Sequence, residues 1–435
     1  MSKSPERPSF SVALKYWFIL GCISFGGPAG QIAMMHRELV ERRRWIADGH
    51  FLHALNFCML LPGPEAQQLA TYLGWRLHGW RGGLAAGVLF VLPSAVLLYA
   101  LSWMFMSSAG IGWVAAIFSG LLPAVVALVI AAVIRIGRKA LKTRASIWLA
   151  VLSFVSVAYF KVPFILIVLI AALVGAFGRR LVPSMFPAAD GHKAGQASDE
   201  GCVCLPAAPA NSWRRVGLIL VVGGVLWWAL PVALGAWLGW EHVVSQQGLF
   251  FSKAALVTFG GAYAVLPYVA EQAVQSHGWL SQSQMMSGLA LAETTPGPLI
   301  MVLQFVGYVG AWQHPGLLSP LLAATLGALV TTWVTFTPGI ILVFLGAPHV
   351  ETLRTRPVLA AALAAITAAV VGVILHLGLW MAWRVISPSG GIDIFATVCT
   401  ALAFLALQRK STNPVWVVVA CAVAGLVKYA AVPGM

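Results

Sequence analysis

Charge is what this sequence has least of. Only 9% of its 435 residues are charged, and just 13 of them are Asp or Glu. A soluble chain carries about a quarter charged residues, so a water-facing globular surface is excluded. Catalytic signatures are missing too. There is no HExxH or GxSxG pattern and the 10 histidines are scattered, which removes the nucleophile and metal constellations of a membrane hydrolase. Neither an enzyme activity nor a metal or cofactor is expected. The 6 cysteines build no disulfide framework: Cys22, Cys58, Cys399 and Cys421 lie singly in apolar runs, and Cys202 and Cys204 share the one long polar stretch.

What is present is apolar: 60% of the chain is hydrophobic, the composition of an all-α polytopic membrane protein. A net charge of +14 would suit nucleic acid if the 27 Lys and Arg formed a surface patch, but they are squeezed into short loops between apolar runs. That is the positive-inside pattern, so the expected partner is the lipid bilayer and not nucleic acid. The opening MSKSPERPSF is polar and basic and has no small-residue cleavage site; it is expected to stay on as a cytoplasmic start.

The chain repeats itself. An offset of 234 positions carries Phe25, Gly26 and Gly27 onto Phe259, Gly260 and Gly261, Trp45 onto Trp279, and Pro62, Gly63 and Pro64 onto Pro296, Gly297 and Pro298. After an insertion the offset becomes 245, pairing Pro93 with Pro338 and Ala124 with Ala369. We therefore divide the chain into a first repeat (1–180), a flexible cytoplasmic linker (181–213) rich in Ala, Pro, Gly and Ser, an additional membrane helix (214–246) and a second repeat (247–435). One extra crossing turns the second repeat upside down. Inverted-topology repeats are the architecture of secondary transporters, whose substrate sites lie near the midplane where helices are broken.

The breaks are FGGP (Phe25, Gly26, Gly27, Pro28) and PGPE (Pro62, Gly63, Pro64, Glu65), each followed by its copy in the second half. The apolar runs that lead into them, Ser11 to Ser24 and Phe51 to Leu61, are closer to a half crossing than to the ~20 residues of a full one. Kinked full spans with packing glycines are the plainer alternative. Full spans would strand Arg37, Arg42, Arg43 and Arg44 outside. Re-entrant hairpins bring them in and leave only Lys161, Lys253, Arg384 and Lys428 outside, so we expect hairpins.

In a hairpin the second half-helix points its N-terminus at the membrane centre. Pro28 and Pro64 fit the first helical position, and Gly26, Gly27 and Gly63, with Gly260, Gly261 and Gly297, let an anion approach the backbone. A helix N-terminus carries roughly half a positive charge, so several together suit a small oxyanion. Gln67, Gln68, Thr294 and Thr295 offer neutral donors beside the breaks, though such a residue is more often a helix-packing polar than a ligand. Glu65 is either a cap or a titrating gate. His36, Arg37, Arg42, Arg43 and Arg44 with Trp45 form a basic cluster at the cytoplasmic mouth, a topology signal that can also steer anions.

The segments FGGPAGQIAMMHRELVERRRWI, LLPGPEAQQLATYLGW and FVLPSA, with TFGGAYAVLPYV and ETTPGP in the second half, resemble the long-chain, two-domain form of the chromate ion transporter family. The resemblance covers both halves and implies a multi-pass carrier of the bacterial inner membrane that exports chromate, confers resistance to it and meets sulfate as a look-alike. A carrier of another oxyanion, such as sulfate or molybdate, is the alternative, and a homodimer is left open. The second half departs from the first: Ala262 stands for Pro28, Leu299 for Glu65, and Ala270 and Glu271 for His36 and Arg37. We accordingly expect the chemistry mainly in the first half.

Overall fold

The computed structural model describes residues 7–25, 27–108, 111–181, 213–259, 262–349, 357–388, 391–409 and 414–431. Most of the expected linker, including Cys202 and Cys204, lies outside the described residues, as do Gly26, Gly260 and Gly261. The described residues contain helices and no strands. The first half comprises α1 (Phe10–Ile23), α2 (Gly27–His36), α3 (Asp48–Leu60), α4 (Glu65–Ser107), α5 (Gly112–Ala140), α6 (Arg144–Ala158) and α7 (Phe164–Leu181). After α8 (Trp213–Leu238) come α9 (Val243–Leu256), α10 (Ala262–Glu271), α11 (Gln282–Thr294), α12 (Val302–Gln313), α13 (Pro320–Gly346), α14 (Pro357–Ile386), α15 (Ile394–Gln408) and α16 (Pro414–Ala431).

The repeat is visible in the backbone. Shifting α3 by the sequence offset lands on α11 residue for residue. A π-helical turn follows both α2 (Arg37–Arg42) and α10 (Gln272–Ser276). Even loop bonds recur: Trp45 N–H donates to Leu39 O at 2.8 Å, and Trp279 N–H to Ala273 O at 2.8 Å. Helices α4, α5, α7, α8, α13, α14 and α16 are long and apolar enough to cross a bilayer, making this a multi-pass membrane protein. At 14 and 13 residues α1 and α3 reach only about 20 Å, less than the ~30 Å hydrocarbon core.

Helix α4 is not one rod of 43 residues. His78 and Gly79 (φ 63°) leave helical geometry and the chain doubles back. Glycines let the two arms touch: a Cβ on Gly74 would lie 2.4 Å from Gly82 O, and one on Gly87 would lie 2.4 Å from Thr71 Oγ1. We refer to residues 65–77 and 80–107 as the short and long arms of α4.

The α4 turn lies beside the start of α1, where His78 Nε2 donates to Pro8 O at 2.9 Å. The other end of α1 reaches only the middle of the long arm. There Gly21 is so close that a Cβ would sit 2.4 Å from Leu89 O, a carbonyl whose helical partner would have been Pro93. The chain then returns. The Arg43 guanidinium lies over the rings of Tyr16 on α1 (5.2 Å) and Trp45 (5.0 Å), and His36 Nε2 bonds Asp48 Oδ1 at the start of α3 at 2.7 Å. The breaker segments are therefore re-entrant, and the long spans pack around them. Helices α6 and α7 of the first half pack on α14 of the second, while α15 and α16 pack on α5, so the halves interlock. Small residues set the closest crossings, as at Gly120 with Gly425 and Gly372 with Ala150.

In a background without native cysteines, Arg44→Cys and Arg81→Cys should react with an impermeant thiol reagent from one membrane face and Ser276→Cys from the other. Full spans at the breaks would instead place Arg44 opposite Arg81.

Candidate functional site

Interrupting a helix inside a membrane frees backbone groups that lipid cannot satisfy. Here the two halves satisfy each other. Gly63 N–H donates to Thr258 O at 2.7 Å, and Gly297 N–H donates to Ser24 O at 2.9 Å. Ser24 and Thr258 are equivalent positions, as are Gly63 and Gly297, so these bonds are a reciprocal pair. Each PGP loop is tied to the FGG break of the opposite half. Gly63 (φ 122°) and Gly297 (φ 107°) hold left-handed backbone, which only glycine adopts readily. Both are buried against the other half, Gly63 against Gly339 and Gly297 against Ser94.

Two sequence expectations change at this point. The N–H groups of Gly63 and Gly297 are consumed by the cross-half bonds and are not offered to an anion. Pro64 is the N-cap of α4, with extended backbone (φ −73°, ψ 102°), and not its first residue; Glu65 is. Pro lacks a side-chain acceptor and caps nothing, so α4 starts uncapped, as does the 3-10 turn Leu299–Met301 after Pro298. On the other break Gly27 takes φ 66° and Pro28 follows as the second residue of α2. A Cβ added to Gly27 meets no atom within 4 Å, so this backbone borders open space. Phe25 and Pro28 are half-buried there, and Pro62 is half-buried on the facing loop.

The side chains around the breaks divide by what their polar atoms do. Gln67 is fully buried between Gly87 and Gly339, and neither its Nε2 nor its Oε1 has a partner. Gln68 donates from Nε2 to Pro62 O at 2.7 Å, bracing the loop, and its Oε1 is unpartnered. Thr294 and Thr295 turn their hydroxyls back onto α11, donating to Ala290 O (3.0 Å) and Ala292 O (3.2 Å). Those protons are spent inside the helix, so neither threonine is the free donor the sequence suggested. Pro296 and Pro298 are buried and flank Gly297 without donors of their own.

Sequence reasoning missed Gln31. Its Nε2 donates to Gly297 O at 2.5 Å and to Ser24 O at 3.2 Å, closing the same junction from the first half. Its Oε1 and the neighbouring Ser24 Oγ are buried without partners. The available signal was Gln31 in an α2 that is otherwise free of polar side chains until His36 at its end, against Val265 at the equivalent place.

The basic cluster is less positive than its sequence implies. Arg42 and Arg43 both pair with Glu38, at 2.9 and 3.1 Å, and the Arg42 hydrogen bond holds the Glu38 carboxyl below its usual range. His36 contacts Glu41 at 3.2 Å as well as Asp48. Among the described residues Arg37 and Arg44 make no ion pair. Trp45 is buried beneath Arg43.

The geometry thus gathers uncapped helix starts, unpartnered amide side chains and tightly turned glycine backbone at the junction of two halves, with no ion pair among the described residues there. Comparison with known proteins gives this a context. A family described as Chromate transporter matches residues 12–176 and 245–426, that is, both halves and neither the linker nor α8. A chromate transport protein of Pseudomonas aeruginosa is 34% identical over 97% of this chain and 93% of its own length. One of Cupriavidus metallidurans is 30% identical over 95% of this chain and 92% of its own length. A probable chromate transport protein of Synechococcus elongatus is 28% identical over 85% of this chain and 84% of its own length. No solved structure matches significantly.

Gly297→Ala would combine left-handed strain with a Cβ 2.3 Å from that of Ser94. It should destabilise the detergent-solubilised protein by at least about 1–3 kcal/mol, read as a lowered melting temperature. Gly27→Ala, strained but unobstructed, should lose less, and Gly49→Ala, helical and open, close to nothing. Equal melting temperatures for all three would contradict the junction as described.

Proposed function

The chain belongs to the chromate transporter family, and from that premise we propose that it exports chromate across the bacterial inner membrane and thereby confers resistance to it. The observation that carries this reading is the reciprocal bonding of Gly63 to Thr258 and Gly297 to Ser24, which brings the broken helices of both halves to one place. The proposed anion contacts are the first free amides of α4, from Glu65 onward, with the Gln67 side chain and the backbone around Gly27. Helix N-termini each supply about half a positive charge. Neutral donors can complete the coordination of a tetrahedral dianion without a buried Lys or Arg, whose insertion costs at least about 2.5 kcal/mol on the most lenient scale.

Inversion of the repeats fits this role. In the first half the long arm of α4 and helices α5, α6 and α7 are four passes that return the chain to its starting face; α8 adds one more, so the second half starts from the other face. Hairpins of opposite orientation then meet at the midplane, as alternating access requires. Lys and Arg counts put the Arg37 to Arg44 turn on the cytoplasmic side, where Arg37 and Arg44 are the cations left to attract anions.

Charge favours the outward direction. With the cell interior negative by 100 mV, moving a dianion outward gains about 2.3 kcal/mol for each of its charges, so export needs no other ion, whereas uptake would. Sulfate is the main competitor, since it shares chromate's shape and charge and pocket geometry separates the two poorly. A carrier for sulfate or molybdate on the same fold is the second reading.

Everted membrane vesicles, which expose the cytoplasmic face, should accumulate labelled chromate, with weaker competition from sulfate and molybdate than from chromate itself. Gln67→Leu should lower this uptake by at least about tenfold, the scale of one hydrogen bond to a charged ligand. Sulfate accumulation with indifference to chromate would replace the first reading by the second.

A further inference from the structure

A side-chain pair at the junction has no counterpart in the first half. Tyr263 Oη donates to Glu293 Oε1 at 2.5 Å. Tyr263 lies in the first turn of α10, just past one break, and Glu293 is three residues before Pro296 at the other. Both are half-buried. Their equivalents in the first half are Ala29 and Met59, so nothing about the fold demands the pair: the same hairpin is built there with neither group. A carboxylate in the membrane interior is expensive and, where it occurs, functional by default. We propose that Glu293, held by Tyr263, is a proton-binding site linked to the anion site: binding of the dianion at the breaks draws a proton from water onto the Glu293 carboxylate, and release of the anion returns it.

The reason is mutual repulsion. A charged Glu293 and a dianion at the PGP and FGG junction raise each other's free energy across a low-dielectric interior, so occupancy of one site must favour protonation of the other, by the same factor in both directions. Other charges near Glu293 do not cancel this. Helix α5, which packs on α11, brings the cation Arg135 within electrostatic range of Glu293, and α4, which also touches α11, carries Glu65 at its start. On α16 Lys428 is occupied by Asp393 at 3.8 Å. On α14, against α10, His376 faces Phe154 at 6.0 Å and Arg384 lies near the far end of its helix. The contact also gives the proton a mechanical consequence. A charged carboxylate accepts strongly from Tyr263 and ties α10 to α11, whereas the neutral acid accepts more weakly, so anion binding loosens the tie between the two breaks of the second half.

This inference rests on the breaks being an oxyanion site, and calorimetry can separate the two. Chromate, sulfate and molybdate are titrated into the purified full-length protein across a pH series, in buffers of different ionisation enthalpy, which reports protons taken up per anion bound. Chromate's own protonation is common to wild type and variant and cancels in their difference; sulfate stays a dianion throughout. Wild type should take up as much as one proton per anion, with affinity falling by up to tenfold per pH unit once Glu293 is charged. Glu293→Gln should bind with no proton uptake at that site and a flatter pH dependence. Tyr263→Phe, which removes the donor to the charged form, should move the fall in affinity to higher pH, and it serves alone if the Gln variant does not fold. Uptake in Glu293→Gln equal to wild type, or an unmoved profile in Tyr263→Phe, overturns the proposal. Binding of sulfate without chromate, with the same proton linkage, overturns only the choice of substrate. Binding of none of the three anions overturns both.

Discussion

A peptide group inside a membrane has to find a hydrogen-bond partner within the protein, and the exchanged bonds and strained glycines at the centre of this chain follow from that constraint. A helix that stops halfway leaves amides and carbonyls with no water. The two halves meet the demand by exchange: the amide of Gly63 goes to Thr258 and that of Gly297 to Ser24. Such an exchange is available only to a duplicated chain whose copies face each other, because each copy supplies both the amide and the carbonyl that its partner needs. The glycines follow in turn. At φ values of 122° and 107° and against Gly339 and Ser94, no larger residue fits without strain. The breaks are thus held by the fold, and what they leave unpartnered is what a ligand can use.

Duplication supplies the frame, and divergence supplies the chemistry. The first half has Gln31, Glu65 and Gln67 where the second has Val265, Leu299 and Met301. The second has Tyr263 and Glu293 where the first has Ala29 and Met59. Two amides and the carboxyl of Glu65 thus belong to the first half and the Tyr263–Glu293 pair to the second, a difference that symmetry alone would not produce.

Much of the frame was legible in the sequence. The identical spacing of FGG and PGP in both halves anticipates the equivalence of α3 and α11, and the shortness of the apolar runs before the breaks anticipates half-helices. The fold of α4 back on itself was only half legible: His78 and Gly79 mark a turn, but hydropathy runs on through it. Less of the site could be read, because hydrogen bonds are settled in three dimensions. Nothing local says that the amides of Gly63 and Gly297 are already taken, that Thr294 and Thr295 bond their own helix, or that Tyr263 meets Glu293 thirty residues on. Charge counting likewise saw the arginines near Trp45 but not Glu38, Glu41 and Asp48 folding onto their neighbours. Nor does hydropathy show that Trp75 of α4 is buried with Arg215 of α8 over its ring at 5.7 Å.

The central claim is a place: the anion is bound where the interrupted helices of the two halves meet. Anomalous diffraction at the chromium edge from crystals grown with chromate addresses it without reference to activity. A peak beside the start of α4, within contact of Gln67 and the Gly27 backbone, is the predicted result. A peak elsewhere, between the long spans or outside the junction, with these groups unoccupied, would contradict it.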